Sequence, residues 1–221
     1  MKNLNSLDMM KNFLKENDDF KEIIGTRPSW GEYFMILAKI AATRSTCISR
    51  PTGAIIVKDR QVLSTGYNGS MPGVDHCSDD GKCFRRSSGA DDAGKYDNCR
   101  SAHAEANAIA QAAKNGINIK DADLYVTLYP CYVCTKLLVQ AGIKNVYYEY
   151  EYKSPNAKRD KLWEEALKMA KLGTKKITVS DEAITKTILA LTGATSWRRE
   201  LEADGAPTGR IENINMEEIK K

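Results

Sequence analysis

An α/β fold in which helices layer onto a mixed sheet is the class this sequence predicts, and three observations carry it. Apolar runs of strand length alternate with helical stretches in the order βαβαβ, after an early hairpin. The helical stretches stop at Gly116 and Gly142, glycine being the residue best suited to a left-handed cap. A length of 221 residues is enough for one full core with extensions.

Residues 1–26 are polar with sparse hydrophobics and read as an N-terminal arm. The stretch RPSWGEYFMILAKIAATR then opens a helix. Ser29 suits the N-cap, and Glu32, three residues on, suits the return bond of a capping box. Tyr33, Ile36, Leu37 and Ile40 recur at helical spacing. GAIIVKD and QVLSTGYNG follow as two strands joined by a turn across Lys58–Gln61. Residues 69–100 are irregular, and a loop that long inside a compact domain needs something to pin it. AHAEANAIAQAAKNG is an alanine-rich helix, ADLYVTLYP a buried strand that Pro130 ends, and CYVCTKLLVQAG a second helix. KNVYYEYEY reads as a strand, AKRDKLWEEALKMAKLG as an amphipathic helix and KKITVS as a strand. The expected organisation is an arm over 1–26, a domain over 27–180 and an extension over 181–221. That extension carries eight acidic and six basic side chains and no catalytic motif.

The formal net charge is +4, from 33 basic and 29 acidic side chains spread along the chain. That argues against a dedicated nucleic-acid binder, which shows a clustered basic face, but leaves room for a local phosphate site. No apolar run nears the roughly 18 residues of a membrane span, and the N-terminus lacks a signal-peptide apolar run. The expectation is a soluble, cytoplasmic protein with no membrane partner. Six cysteines in that reducing compartment read as metal ligands rather than disulfides.

The chemistry concentrates in RSAHAEANAIA and YPCYVC. A zinc that activates water needs three protein ligands and an open position. His103, Cys131 and Cys134 supply three such ligands. Cys-x-x-Cys in the first turn of a helix points both sulfurs one way, and the helix N-terminus stabilises the thiolates. Pro130 suits that helix start, where a missing N–H costs little. His103 also opens a helix, so two helix N-termini can converge on one ion. Glu105 is then placed to take a proton from water and deliver it to a ring nitrogen and a leaving amine. A lone helical histidine is usually just a satisfied polar residue, and a lone Cys-x-x-Cys is ambiguous. His-x-Glu followed by Pro-Cys-x-x-Cys is the signature of zinc deaminases. The constellation predicts a zinc hydrolase acting on an amidine-type carbon.

HAEANAI, YVTLYPCYVC and the upstream STGYNGSMPG resemble deoxycytidylate (dCMP) deaminases of the cytidine deaminase superfamily, over roughly residues 29–152. The resemblance implies a three-layer α/β/α fold with a mixed central sheet of about five strands. It implies hydrolysis of dCMP to dUMP with release of ammonia, Glu105 as proton shuttle, and His103, Cys131 and Cys134 as ligands of the catalytic zinc. Asn68 and Ala104 would meet the nucleotide, although Asn-Gly is also a common turn pair. Lys114, eleven residues after His103, stands where some members carry an arginine and is the candidate for the phosphate. A last-turn lysine equally suits the helix dipole, and Arg50, Arg100 or a neighbouring subunit are competitors. Tyr67, Gly69 and Ser70 fall where the resemblance places an effector site for dCTP and dTTP, with Mg2+ accompanying the triphosphate. It also implies a homo-oligomer, a hexamer or a dimer.

Cys47, Cys77, Cys83 and Cys99 remain, three of them in the irregular segment. A second, closed zinc would pin that segment; the resemblance implies such a structural zinc in some members, with ligands at positions like Cys47 and Cys77, and Cys83 and Cys99 would complete four thiolates, with His76 able to replace one. Free cysteines are also common small hydrophobes, which suits Cys47 best. Beyond about residue 153 the resemblance ends; Trp197 with Arg198 and Arg199 reads as an exposed salt-bridged helix or a phosphate contact. The rivals are a tRNA adenosine deaminase, the deaminase of riboflavin synthesis, for which the chain is too short, and a zinc-stapled nucleotide-sensing module without turnover. Glu105 argues against the last, since a purely structural site has no use for a shuttle.

Overall fold

The computed structural model describes residues 27–89, 99–151 and 157–191; the N-terminal arm, most of the expected extension and Trp197, Arg198 and Arg199 lie outside the described residues. The capping box at Ser29 is formed. Ser29 Oγ accepts from the Glu32 N–H at 3.3 Å, and Glu32 Oε2 accepts from the Ser29 N–H at 3.1 Å. Helix α1 (Trp30–Ala42) starts there and buries Phe34, Met35, Ile36 and Ala38. The expected stripe is only partly right, because Tyr33 and Ile40 are exposed. Small residues decide the orientation instead. A Cβ at Gly53 would stand 2.0 Å from the Ala38 carbonyl oxygen and 2.5 Å from the Ala42 nitrogen, so the helix backbone rests on the strand that Gly53 opens.

That strand, β1 (Gly53–Lys58), turns into β2 (Gln61–Tyr67) through Asp59 and Arg60, whose φ values of 51° and 62° are those of a type I′ turn. A short pair, β3 (Gly69–Ser70) and β4 (Ser101–Ala102), brackets two single-turn helices, α2 (Cys77–Asp80) and α3 (Phe84–Ser87). Helix α4 (Ala104–Lys114), β5 (Asp123–Leu128), α5 (Tyr132–Gln140), β6 (Asn145–Tyr150), α6 (Ala157–Met169), β7 (Gly173–Lys176) and α7 (Asp181–Leu191) follow.

Among the described residues the main sheet has five strands in the order β2-β1-β5-β6-β7. β1 is antiparallel to β2 and β5, whereas β5, β6 and β7 run parallel. Because side chains alternate along a strand, the sheet feeds two layers. Ala54, Ile56, Leu124, Val126 and Val146 join Ala104, Ala108 and Ala112 of α4, Leu138 of α5 and Leu167 of α6 in one core. On the other face Phe34 of α1 packs on Tyr125 with ring centroids 5.2 Å apart. Fully buried Ile56, Leu124 and Leu138 each contribute about 1.5–3 kcal/mol. The result is the three-layer, mixed-sheet architecture expected.

β7 starts two residues earlier and ends four residues earlier than the run KKITVS suggests. Its parallel register against β6 runs from Asn145↔Gly173 to Tyr148↔Lys176, so pairing rather than composition sets its bounds. Residues 28–180 form one compact unit, and Asp181–Leu191 belong to another. No helix of the described residues is long and apolar enough to cross a membrane.

Candidate active site

The site is assembled by glycine and serine on β2 as much as by its own side chains. A Cβ at Gly66 would lie 2.1 Å from the Ala104 carbonyl oxygen and 2.6 Å from the Ala108 nitrogen. Ser64, on the same face of β2, donates its hydroxyl to the Ala108 carbonyl at 2.7 Å. Helix α4 therefore lies directly on β2, and its first turn is fixed in place. His103 is its N-cap residue, extended at φ −74° and ψ 155°. Glu105, in that first turn, is 4% exposed.

Cys131 occupies the equivalent place on α5, just past the end of β5, with Cys134 three residues on. Thr135 locks this turn by donating both its N–H (2.9 Å) and its hydroxyl (2.6 Å) to the Cys131 carbonyl. His103 Nδ1 lies 3.5 Å from Cys131 Sγ and 3.3 Å from Cys134 Sγ. Among the described residues these three are the one group of His, Cys, Asp or Glu ligands, three or more strong, whose atoms lie within 4.8 Å of one another. A tetrahedral zinc with bonds of about 2.0–2.3 Å spaces its ligands roughly 3.5 Å apart. The donor set and its spacing fit that ion.

The protonation pattern points the same way. A hydrogen bond from the Cys134 thiol, then one from His103, pulls the Cys131 thiol down to about 4, a thiolate at neutral pH. Cys134 is pushed up, first by sharing its proton with Cys131 and then by burial. A hydrogen bond to Cys131 raises His103. Burial holds the Glu105 carboxyl above the usual carboxylate range, as a group that must both take and give a proton requires.

A cavity of about 150 Å³ opens over this group, with His103, Glu105 and Cys131 in its lining. Of the expected nucleotide contacts, Ala104 and Asn68 line it. Asn68 is 8% exposed, and its amide is committed to the chain. Oδ1 accepts from the Thr52 N–H (2.8 Å) and the Ser45 hydroxyl (2.6 Å), while Nδ2 donates to the Arg50 carbonyl (2.8 Å). It thus pins the segment 45–52 that forms one wall. Asn107, the second asparagine of the motifs, donates to the Tyr67 carbonyl at 2.7 Å and ties α4 to that loop.

Lys114 is not in the lining. It closes α4, exposed, while His103 opens it, and eleven residues of helix span roughly 16 Å. Arg100 is also occupied elsewhere, paired with Asp80 and stacked 5.1 Å from the Phe84 ring. Arg50 does line the cavity, joined by Arg85 and Arg86, which the sequence reading passed over. Their only signal in the sequence was two adjacent arginines in a polar, aperiodic stretch. Tyr67, Gly69 and Ser70 lie outside the lining, on β2 and β3.

The other cysteines gather less tightly. Cys47, Cys83 and Cys99 share a wall of the cavity. Cys77 is buried, with His76 as N-cap residue of its helix. Burial pushes the Cys99 thiol up, with Cys47, Cys83 and Cys77 adding to it. No three of their sulfurs come within 4.8 Å of one another. His76 Nδ1 is buried without a hydrogen-bond partner.

Residues 28–150 match the family model for the cytidine and deoxycytidylate deaminase zinc-binding region. The chain is 45% identical over 129 residues to ComE operon protein 2 of Bacillus subtilis, covering 58% of this chain and 63% of that protein. It is 43% identical over 131 residues to the deoxycytidylate deaminase of Mycobacterium phage D29, covering 57% and 98%. The match to the Schizosaccharomyces pombe deoxycytidylate deaminase spans only 38% of that protein's length. Among solved structures, the dCMP deaminase of cyanophage S-TIM5 in complex with dCMP and dUMP superposes with a TM-score of 0.52 at 28% identity, over 69% of this chain and 99% of that one. By motif, geometry and similarity alike, the chain belongs to the cytidine and deoxycytidylate deaminase family.

Proposed function

We propose that the protein hydrolyses dCMP to dUMP, releasing ammonia. The observation that carries this reading is the convergence of His103, Cys131 and Cys134 beside a buried Glu105, under a cavity rimmed by arginines. Zinc held by those three residues supplies the Lewis acidity that makes water nucleophilic near neutral pH. Glu105 takes a proton from the attacking water and gives it to N3 of the ring. It then takes the remaining proton from the new C4 hydroxyl and delivers it to the departing amine as the C4–N bond breaks, so that water and dCMP become dUMP and ammonia. Ala104 and the Asn68-pinned wall shape the base pocket, with Asn68 acting as a positioning residue.

The finer parts of the proposal rest on the family. A second zinc on Cys47, Cys77, Cys83 and Cys99, with His76 as a substitute, is supported by Cys47, Cys83 and Cys99 sharing one wall, with Cys77 near enough to act on the Cys99 thiol. Activation by dCTP and inhibition by dTTP through Tyr67, Gly69 and Ser70, with Mg2+ on the triphosphate, belong to the same reading. So do a homo-oligomeric state and a cytoplasmic setting. The test is ammonia release from dCMP, CMP, deoxycytidine, dCTP and tRNA adenosine, each with and without dCTP or dTTP, with zinc measured on the same preparation. Turnover preferring dCMP supports the proposal; turnover of tRNA adenosine alone overturns it.

A further inference from the structure

The cavity above Glu105 has an unbalanced charge. Apart from the metal-ligating group, its lining holds three guanidinium groups, those of Arg50, Arg85 and Arg86, and one carboxyl, that of Glu105. None of the three arginines has an ion-pair partner among the described residues. Arg86 donates from Nη2 to Ser49 Oγ at 3.0 Å, which ties it to the residue immediately before Arg50. Arg85 is half-buried on the same short helix. Like charges gathered at one mouth repel one another, and without a counter-ion that repulsion is a standing cost. A planar guanidinium also matches a phosphate with two parallel hydrogen bonds, which an ammonium such as that of Lys114 cannot do.

The placement of α3 has a cause of its own. Cys83, 9% exposed, is its N-cap residue and accepts from the Ser87 N–H at 3.0 Å and the Ser87 hydroxyl at 3.0 Å through its carbonyl. The helix that carries the arginine pair is thus anchored by a buried residue of the loose cysteine group. From the other side, Asn68 fixes the Arg50 backbone through the Arg50 carbonyl.

We infer that Arg85 and Arg86, together with Arg50, form the phosphate-recognising rim of this site, and that they make it select a nucleoside monophosphate over the free nucleoside. This deepens the proposed deamination of dCMP and rests on it for the identity of the base. The arginines act on binding, since they stand at the wall and not beside the proton-carrying groups.

The test compares wild type, R85A, R86A, the double variant and R86K on dCMP and on deoxycytidine. Calorimetry of dUMP and deoxyuridine binding is run on the same proteins. The double variant is expected to raise KM for dCMP by about 30- to 100-fold, the loss of charge-assisted hydrogen bonds. Its kcat should stay within about threefold, with deoxycytidine kinetics unmoved and R86K recovering part of the loss. Equal losses on dCMP and deoxycytidine, or a fall in kcat at unchanged KM, would overturn the inference. If the wild type turns over neither compound, the proposed reaction fails by itself. The rim is then judged by calorimetry: weaker binding of dUMP in the double variant sustains it, and unchanged binding overturns it.

Discussion

Two groups of His and Cys side chains contribute to the lining of one cavity and are built in opposite ways. His103, Cys131 and Cys134 ride on the first turns of α4 and α5; Gly66 and Ser64 hold α4 against the sheet, and Thr135 locks the turn that carries Cys131 and Cys134. Their ligand atoms already lie within 4.8 Å of one another. Cys47, Cys77, Cys83 and Cys99 ride on connections and single-turn helices, and no three of them are as close. The first group is preorganised by the core. The second is not, and the proposed second zinc would have to draw these thiols together, as a metal that contributes to local folding does. Chemistry needs the first kind of site and a loop staple needs only the second.

The largest effect expected from breaking this comparison is at Glu105. E105Q keeps the size of the side chain and removes its proton transfer. kcat for dCMP is expected to fall on the order of 10³-fold or more, with metal content by atomic emission unchanged. Next comes the metal itself. C131S should lose one zinc per chain and all turnover. C83S should lose the proposed second zinc, lower Tm by several degrees and leave residual turnover, because the helix-borne group does not depend on it. Loss of both metals in C83S would show that the two groups are one unit and erase the distinction.

A smaller effect separates scaffold from ligand. G66A introduces a Cβ at 2.1 Å and 2.6 Å from backbone atoms of α4, so the helix must shift. Destabilisation of about 2–4 kcal/mol is expected by denaturant unfolding. Activity should fall more steeply than stability predicts, because His103 and Glu105 move with the helix. Substitution of an exposed side chain of the irregular segment, such as S88A, should be nearly silent in both assays.

The same contrast explains what could be read from the sequence. Helix α4 and the strand before α5 carry periodic or continuous apolar patterns, and their ligands sit at fixed offsets from caps, so the clustering of His103, Cys131 and Cys134 was legible. Lys114 illustrates the limit. Spacing placed it on the right helix, but a straight helix carries its two ends apart, and the lysine is at the wrong one. Arg85 and Arg86 were illegible for the opposite reason. They sit on a single turn with no periodicity, held by the burial of Cys83 and the hydrogen bond from Arg86 to Ser49. The helical spacing of Tyr33, Ile36, Leu37 and Ile40 does not tell which face of α1 meets the sheet, because Ala38, Ala42 and Gly53 set it by close approach.

The smallest expected effect concerns acid, and it decides how the metal comparison is read. Protonation competes with metal for both cysteine groups, so stability will fall at low pH in the zinc-loaded protein. Some of that fall comes from elsewhere. Hydrogen bonds from Ser180, then from Ser29, hold Glu32 down at about 2, below its ordinary 4.5. A depressed carboxyl contributes its full stability above about 4.5 and loses it as pH falls through about 2. Because Glu32 is largely solvated, screening reduces that contribution to about 1 kcal/mol. E32Q is therefore expected to lower stability by about that much at pH 7 and to flatten the unfolding curve between pH 4.5 and 2, with zinc content unchanged at neutral pH. If E32Q leaves the acid limb as steep as in wild type, the whole limb belongs to the metal groups. The order in which zinc and turnover disappear on acidification then reads directly which group releases its ion first, and the loosely gathered thiols should release theirs at the higher pH.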